Sequence, residues 1–323
     1  MKPFEHFNAK TAEEAASLLR KYEGKAKVIA GGTDLLGTLE DNIQPTYPQA
    51  LVNLKTIQGL DSIKENSTGL NIGALVKLAD IAESTTIKEK YVLIAQAAEA
   101  VAMPQIRNMG TIGGNLCQDI HCLYYRYPHH IGGRVVCLRK GGSDCNALTG
   151  DNRYDSIFGG PEGCYATCTS DTAPALIAMG ATAITTKKNI PLESFFTPLP
   201  GVALDADEIL TEIQVPQPRE GLKGTYLKFS LRKAIDFAII SVACAITLEG
   251  GICKETRIVL GGVAPVPWRA TGAEEAIKGK TIDSTRAEEA GRAAVAHATP
   301  LSMNEYKVWL TQSLVKRAIL ASI

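Results

Sequence analysis

Val28-Ile29-Ala30-Gly31-Gly32-Thr33-Asp34-Leu35 is the stretch on which the fold turns. A short apolar strand breaks into two glycines, and an amphipathic run begins at once. Glycines let backbone N–H groups come close to an anion, and the start of a helix or turn aims their dipoles at it. A pyrophosphate can be held this way without a lysine; an ordinary Gly-Gly turn is the alternative reading of the same residues. The dinucleotide fingerprint G-x-G-x-x-G is absent. Gly279-Lys280-Thr281 mimics the end of a P-loop, but Glu274 stands where its first glycine belongs.

Upstream, Thr11–Tyr22 reads as a helix with Thr11 as N-cap and Glu14 completing a capping box. Downstream, Ala50–Leu54 and Gly69–Ile72 are strand candidates, and Leu78–Glu83 and Leu93–Val101 are helical. A second diglycine follows at Thr111-Ile112-Gly113-Gly114-Asn115-Leu116, where Asn115 adds a side chain able to bond a ribose or phosphate. Alone it also fits a hairpin or bulge. Together the two turns can clamp one extended dinucleotide from two sides.

Between these turns and the next helix the composition changes. Cys117, Cys122, Cys137, Cys145, Cys164 and Cys168 crowd one stretch with His121, His129 and His130, and only Cys244 and Cys253 lie elsewhere. Periodicity fades from about Tyr124 to Gly163, and loops of such length usually carry function. The spacing is neither a zinc knuckle nor a standard ferredoxin run. It leaves an iron–sulfur cluster, zinc and plain structural cysteines equally open.

Ser170-Asp171-Thr172-Ala173-Pro174 reads as a helix cap whose carboxylate can also serve a ligand. Ala181–Thr186 and Ile209–Val215 are strands, the latter ending at Pro216. The segment 216–221 marks a boundary. Beyond it, strands at Gly224–Ser230, Ala238–Leu248 and Thr256–Val263 precede helices at Gly272–Lys278, Thr285–Ala298 and Asn304–Ala321, an α+β pattern. Lys228 alternates in the first of these strands, where a lone lysine usually faces solvent.

The chain has 323 residues, 45% hydrophobic and 21% charged, with 34 Lys+Arg against 34 Asp+Glu. That suits about two globular domains and gives no net field for nucleic acid or acidic lipid. The N-terminus lacks an apolar signal segment, and the apolar runs are too short to span a bilayer, so no membrane insertion is expected. A cytoplasmic location with reduced thiols follows as the expectation.

Taken together, the segments Ala30–Asp34, Thr111–Leu116 and Ser170–Pro174 resemble, in order and approximate spacing, the FAD-binding subunit of the xanthine dehydrogenase (molybdenum hydroxylase) family. The resemblance covers essentially the whole chain. It implies an α+β protein with a vanillyl-alcohol-oxidase/PCMH-type FAD-binding fold over 1–217. That region divides into an N-terminal subdomain to about residue 55 and a larger α/β subdomain over 56–217. A C-terminal α+β domain spans 218–323. By the same resemblance Val28, Ile29, Ala30, Gly31, Gly32, Thr33, Asp34, Leu35, Thr111, Gly113, Gly114 and Asn115 hold the pyrophosphate and ribose of FAD. Asp171, Lys228 and Leu210 stand at further cofactor contacts. The cysteine-rich stretch, 117–165, is an insertion relative to most of the family. It resembles the one that marks the β subunit of 4-hydroxybenzoyl-CoA reductase and carries a [4Fe–4S] cluster. Residue-by-residue matching assigns the ligands to Cys122, Cys137, Cys145 and Cys164, leaving Cys117 and Cys168 over. The implied partners are a molybdenum-cofactor large subunit and a [2Fe–2S] small subunit in a heterotrimer that dimerises, with a ferredoxin as external donor or acceptor. The substrate would be handled on the molybdenum subunit, so no catalytic acid, base or nucleophile is expected in this chain. Reductive dehydroxylation of 4-hydroxybenzoyl-CoA is the sharpest implied activity; a purine or N-heterocycle hydroxylase is the alternative within the family, and a stand-alone flavin oxidoreductase lies further off.

Overall fold

The computed structural model describes residues 1–199 and 201–323. Three sheets follow one another along the chain. The first is parallel, with β1 (Glu5–Asn8), β2 (Ala26–Ile29) and β3 (Ala50–Asn53) in the order β1-β3-β2. Parallel neighbours need crossovers, and the helices Ala12–Lys21 and Leu35–Glu40 supply them. The first helix starts where expected: Thr11 Oγ1 accepts the Glu14 N–H at 3.1 Å, while the Glu14 carboxylate accepts the Lys10 N–H. Ala15, Ala16 and Leu19 on its inner face pack on Ala50 and Val52 of the central strand. β1 carries no clear pattern in the sequence because it is a polar edge strand with only Phe7 turned inward.

The second sheet is antiparallel: β4 (Ile63–Asn66), β5 (Gly69–Gly73), β6 (Thr182–Thr185), β7 (Asn189–Pro191) and β8 (Leu210–Pro216) in the order β4-β5-β8-β6-β7. Between β5 and β6 the chain leaves the sheet for a group of helices, among them Leu78–Glu83, Val92–Glu99 and Thr172–Ala178, which bury its face with Ile72, Ile94, Leu176 and Ile213 at the core. Ser170 starts the last of these helices by accepting the Ala173 N–H at 3.1 Å.

The third sheet comprises β9 (Leu222–Phe229), β10 (Ile240–Glu249), β11 (Ile252–Gly261) and β12 (Trp268–Arg269), antiparallel in the order β12-β11-β10-β9. The β10–β11 hairpin closes on Gly250 and Gly251, both at positive φ, as a two-residue turn between twisted strands requires. Helices Thr271–Ile277, Ser284–Ala294 and Tyr306–Ala321 cover this sheet around Val242, Ile258 and Val315.

The segment 117–165 holds only isolated turns, at His129–Gly132, Leu138–Lys140, Asn146–Leu148 and Pro161–Gly163. A small separate core forms there from Ile43, Ile120, Tyr125, Cys137, Cys164 and Ala166. Its exit is built into the third sheet's core: Ile157 is fully buried there and donates its N–H to Val263 O. No helix among the described residues is long and apolar enough to cross a membrane.

Candidate functional site

A cavity of about 450 Å3 opens at the C-terminal end of β2, between the first two sheets. The chain leaves β2 at Ile29 and bends through Gly31 and Gly32 into the helix Leu35–Glu40. A Cβ on Gly31 would stand 2.1 Å from the carbonyl oxygen of Met109, and Gly32 sits at φ 74°, where side chains are strained. Both positions therefore demand glycine, one for space and one for conformation. The N–H groups of Gly31, Gly32, Thr33 and Asp34 find no acceptor among the described residues. A run of unspent donors at the mouth of a cleft is the chemistry of an anion site.

Val28, Ile29, Ala30, Gly31, Gly32, Thr33, Asp34 and Leu35 all line the cleft, as do Thr111, Gly113, Gly114 and Leu210. The second diglycine, however, is not a second set of free donors. It opens the helix Ile112–Cys117, with Thr111 Oγ1 accepting the Gly114 N–H at 3.1 Å. The N–H groups of Ile112, Gly113 and Asn115 go to Val76, Ala74 and Thr111 carbonyls. The two-sided clamp expected from the sequence is thus one-sided in donors. Gly113 serves close approach instead, since a Cβ there would lie 2.7 Å from Ala74 O.

Asn115, Asp171 and Lys228 stand behind the wall and do not line the cleft. Asn115 Oδ1 accepts from Ser170 Oγ at 2.7 Å and Thr172 Oγ1 at 2.6 Å, so only its amide nitrogen remains for a ligand. Asp171 and Lys228 pair with each other at 2.7 Å, almost fully enclosed, and Tyr226 donates its hydroxyl to the same carboxylate at 2.8 Å. Burial pushes the Asp171 carboxyl up against the pull of Lys228 and Tyr226. Lys228 also donates to Ala100 O, which corrects the solvent-facing reading of that lysine. Its alternating strand pattern concealed a buried ion pair.

Cys122, Cys137, Cys145 and Cys164 line a second, narrow cavity inside the insertion, together with Ile120, Tyr125, Leu138 and Ala166. Cys117 and Cys168 line the main cleft instead. Ile120 borders both cavities. All eight thiols are free. Burial pushes the Cys122 thiol up to about 12 and raises Cys145 as well. Such thiols become ligands only when a bound cation displaces their protons. Arg139 Nε donates to Cys164 Sγ at 3.3 Å, the kind of hydrogen bond that tunes a metal-bound sulfur. Among the described residues no three His, Cys, Asp or Glu side chains converge closely enough for a single metal ion. Four thiols border this cavity of about 10 Å3 alongside Arg139 and Asn146, and thiolate sulfur is the donor that iron–sulfur groups use.

Two further parts of the site depend on partners distant in the sequence. Asp34 accepts the Asp119 N–H at 3.0 Å and pairs with Arg126 at 2.7 Å and His121 at 3.1 Å. Burial alone would raise its carboxyl, but the His121 bond and the Arg126 charge outweigh it and hold the pKa below the usual carboxylate value. At the insertion's exit, Lys307 is fully buried and donates to the carbonyls of Tyr154, Asp155 and Gly262 at 3.0, 2.9 and 2.6 Å.

Residues 2–218 match the family model described as the FAD binding domain in molybdopterin dehydrogenase, and residues 225–322 match the CO dehydrogenase flavoprotein C-terminal domain. The chain belongs to this family of FAD-binding oxidoreductase subunits. It is 33% identical to the aldehyde oxidoreductase FAD-binding subunit PaoB of Escherichia coli K12, over 97% of this chain and 96% of that one. It is 27% identical to the carbon monoxide dehydrogenase medium chain of Hydrogenophaga pseudoflava, over 99% and 96%. With the xanthine dehydrogenase FAD-binding subunit of E. coli O157:H7 it shares 25% identity over 97% and 94%. A chain of the H. pseudoflava carbon monoxide dehydrogenase structure that lacks the Mo-pyranopterin moiety superposes with a TM-score of 0.77, covering 100% of this chain and 98% of that one at 26% identity. The FAD-binding fold and family implied by the glycine motifs are therefore correct. The 4-hydroxybenzoyl-CoA activity finds no support in these aldehyde, carbon monoxide and xanthine relatives, which favour the wider hydroxylase and dehydrogenase reading.

Proposed function

We propose that this chain is the FAD-carrying electron-transfer subunit of a molybdenum-dependent hydroxylase or dehydrogenase, and that its insertion holds a [4Fe–4S] cluster. The observation that carries the flavin half is the run of unspent N–H groups over Gly31–Asp34 at the mouth of a cleft. These residues bind the diphosphate. Val28, Ile29, Ala30 and Leu35 shape the approach, Thr111, Gly113 and Gly114 wall the opposite side with closely packed backbone, and Leu210 supplies apolar contact. Asn115, bonded to Ser170 and Thr172, stiffens the wall from behind together with Asp171 and Lys228. Cys122, Cys137, Cys145 and Cys164 are the proposed cluster ligands. FAD exchanges one or two electrons and such a cluster exchanges one, so a chain carrying both connects one-electron carriers to two-electron chemistry elsewhere.

By analogy with relatives named as medium chains and FAD-binding subunits, the partners are a molybdenum-cofactor large subunit and a [2Fe–2S] small subunit in a heterotrimer. The substrate class favoured is an aldehyde, purine or N-heterocycle oxidised on the large subunit. Affinity purification of the chain from its native cell, under anaerobic conditions, tests this. Co-purification of two such subunits with FAD is expected. A monomer that carries its own NAD(P)H or O2 activity would overturn the subunit assignment, and zinc without flavin would overturn the whole reading.

A further inference from the structure

The Asp34 cluster joins parts of the molecule that the sequence keeps far apart. The Asp34 N–H is one of the free donors lining the cleft, while its carboxylate bonds to the insertion. There it accepts from the Asp119 N–H, from Arg126 and from His121, at 3.0, 2.7 and 3.1 Å. Arg126 turns back to donate to the carbonyls of Ile120 and Asp119 at 2.6 and 3.1 Å, and the Tyr125 hydroxyl donates to the Asp119 carboxylate. His121 lies against the ring of Phe237 with centroids 4.1 Å apart, so the loop after β9 closes the third side. Arg126 itself does not line the cleft.

We infer that Asp34 is a shared positioning residue, which sets the phosphate-binding turn and the cysteine-bearing insertion in one fixed relation through Arg126 and His121. This rests on the flavin and cluster assignments above for its purpose, though not for its geometry. Among the described residues Thr33 makes no side-chain hydrogen bond and Gly31 and Gly32 have no side chain to make one, so the N–H groups of the turn must be aimed from its end, at Asp34, before a ligand arrives. A carboxylate with three donors, one of them the guanidinium of Arg126, whose side chain is 15% exposed, fixes the residue at the end of that turn. The same bonds fix Asp119, Ile120 and Arg126, and thereby the entry to the four-cysteine cavity. Loosening the insertion's entry therefore loosens the donors of the cleft, whereas removing an exposed charge beyond the entry does not.

The test compares the full-length chain with Arg126→Met, Arg126→Lys and Arg153→Met. Two measurements are made on each: amide hydrogen exchange in flavin-free protein, and FAD affinity by fluorescence titration. In Arg126→Met, exchange is expected to quicken over both 28–41 and 119–126, and FAD affinity to fall at least tenfold although no cleft residue has changed. Arg126→Lys, which keeps the charge for Asp34, is expected to recover part of both effects, and it takes over the test if the Met variant does not fold. Arg153→Met, which removes an exposed ion pair with Asp151 inside the insertion but away from its entry, is expected to bind FAD within twofold of the parent. Faster exchange confined to 119–126, with FAD affinity unchanged, overturns the inference. A parent chain that binds no FAD would sink the functional reading instead, and the exchange pattern would still decide whether the two segments move together.

Discussion

The glycine-lined cleft and the cysteine lobe sit side by side, share Ile120 as a wall, and are built in opposite ways. The cleft is made of backbone: glycines fixed by close approach or by positive φ, at the end of a parallel strand and the start of a helix. The lobe has almost no regular structure and is fastened by side chains at its two ends, Asp34 with Arg126 at the entry and Lys307 at the exit. A backbone-made site tolerates most side-chain changes around it but not one added methyl group. A side-chain-held lobe tolerates glycine replacement in open loops but depends on a few charged groups.

The sharpest way to break this contrast is to substitute Gly31. Its Cβ has nowhere to go, so Gly31→Ala is expected to cost about 4 kcal/mol or more and to abolish flavin retention. Thermal unfolding and flavin absorbance of the purified variant check this, and a stable yellow Gly31→Ala protein would refute the close approach.

A pH effect of intermediate size comes from the lobe. Burial pushes the Asp155 carboxyl up to about 6, above its ordinary 3.8. The folded state then holds the proton more tightly than the unfolded chain. This contribution to stability is complete below about pH 4 and is lost as pH rises through 6, with a ceiling of about 3 kcal/mol. Melting curves of parent and Asp155→Asn between pH 4 and 7 should diverge, the parent losing stability relative to the variant as pH rises; parallel curves would contradict it.

Lys307→Met should cost about 2 kcal/mol, because three carbonyls lose their shared donor, and should expose 151–158 to protease while leaving the flavin in place. Loss of flavin in that variant would erase the distinction between the two regions. The smallest effect is expected at Gly141, which has φ 84° but open space around it; Gly141→Ala should cost about 1 kcal/mol, measured by chemical denaturation.

Much of the cleft is legible in the sequence because its determinants are local. The Thr11 cap, the strand ending in Gly31-Gly32 and the Ser170 cap each lie within a few residues of their partners. The helix Ile112–Cys117 escapes a turn-or-bulge reading because its glycines are poor helix formers, and only contact with Ala74 makes them fit. The Asp34 tether is invisible because its partners Asp119, His121 and Arg126 lie 85 to 92 residues away. Lys307, by contrast, carries a local signal. It shares a helical stripe with Thr311, Leu314, Val315, Ala318 and Ile319, all buried, and a lysine on such a stripe needs acceptors. Spacing leaves the grouping of four cysteines apart from Cys117 and Cys168 open, and only the resemblance assigns it, since the lobe's loops have no periodicity to read.

Iron, acid-labile sulfide and flavin, counted on the anaerobically purified full chain and on its Cys137→Ser variant, test the two-part construction most directly. The account predicts one FAD with four iron and four sulfide per chain in the parent, and FAD without iron in the variant. A yellow parent free of iron, or a variant that keeps its full iron, would contradict it.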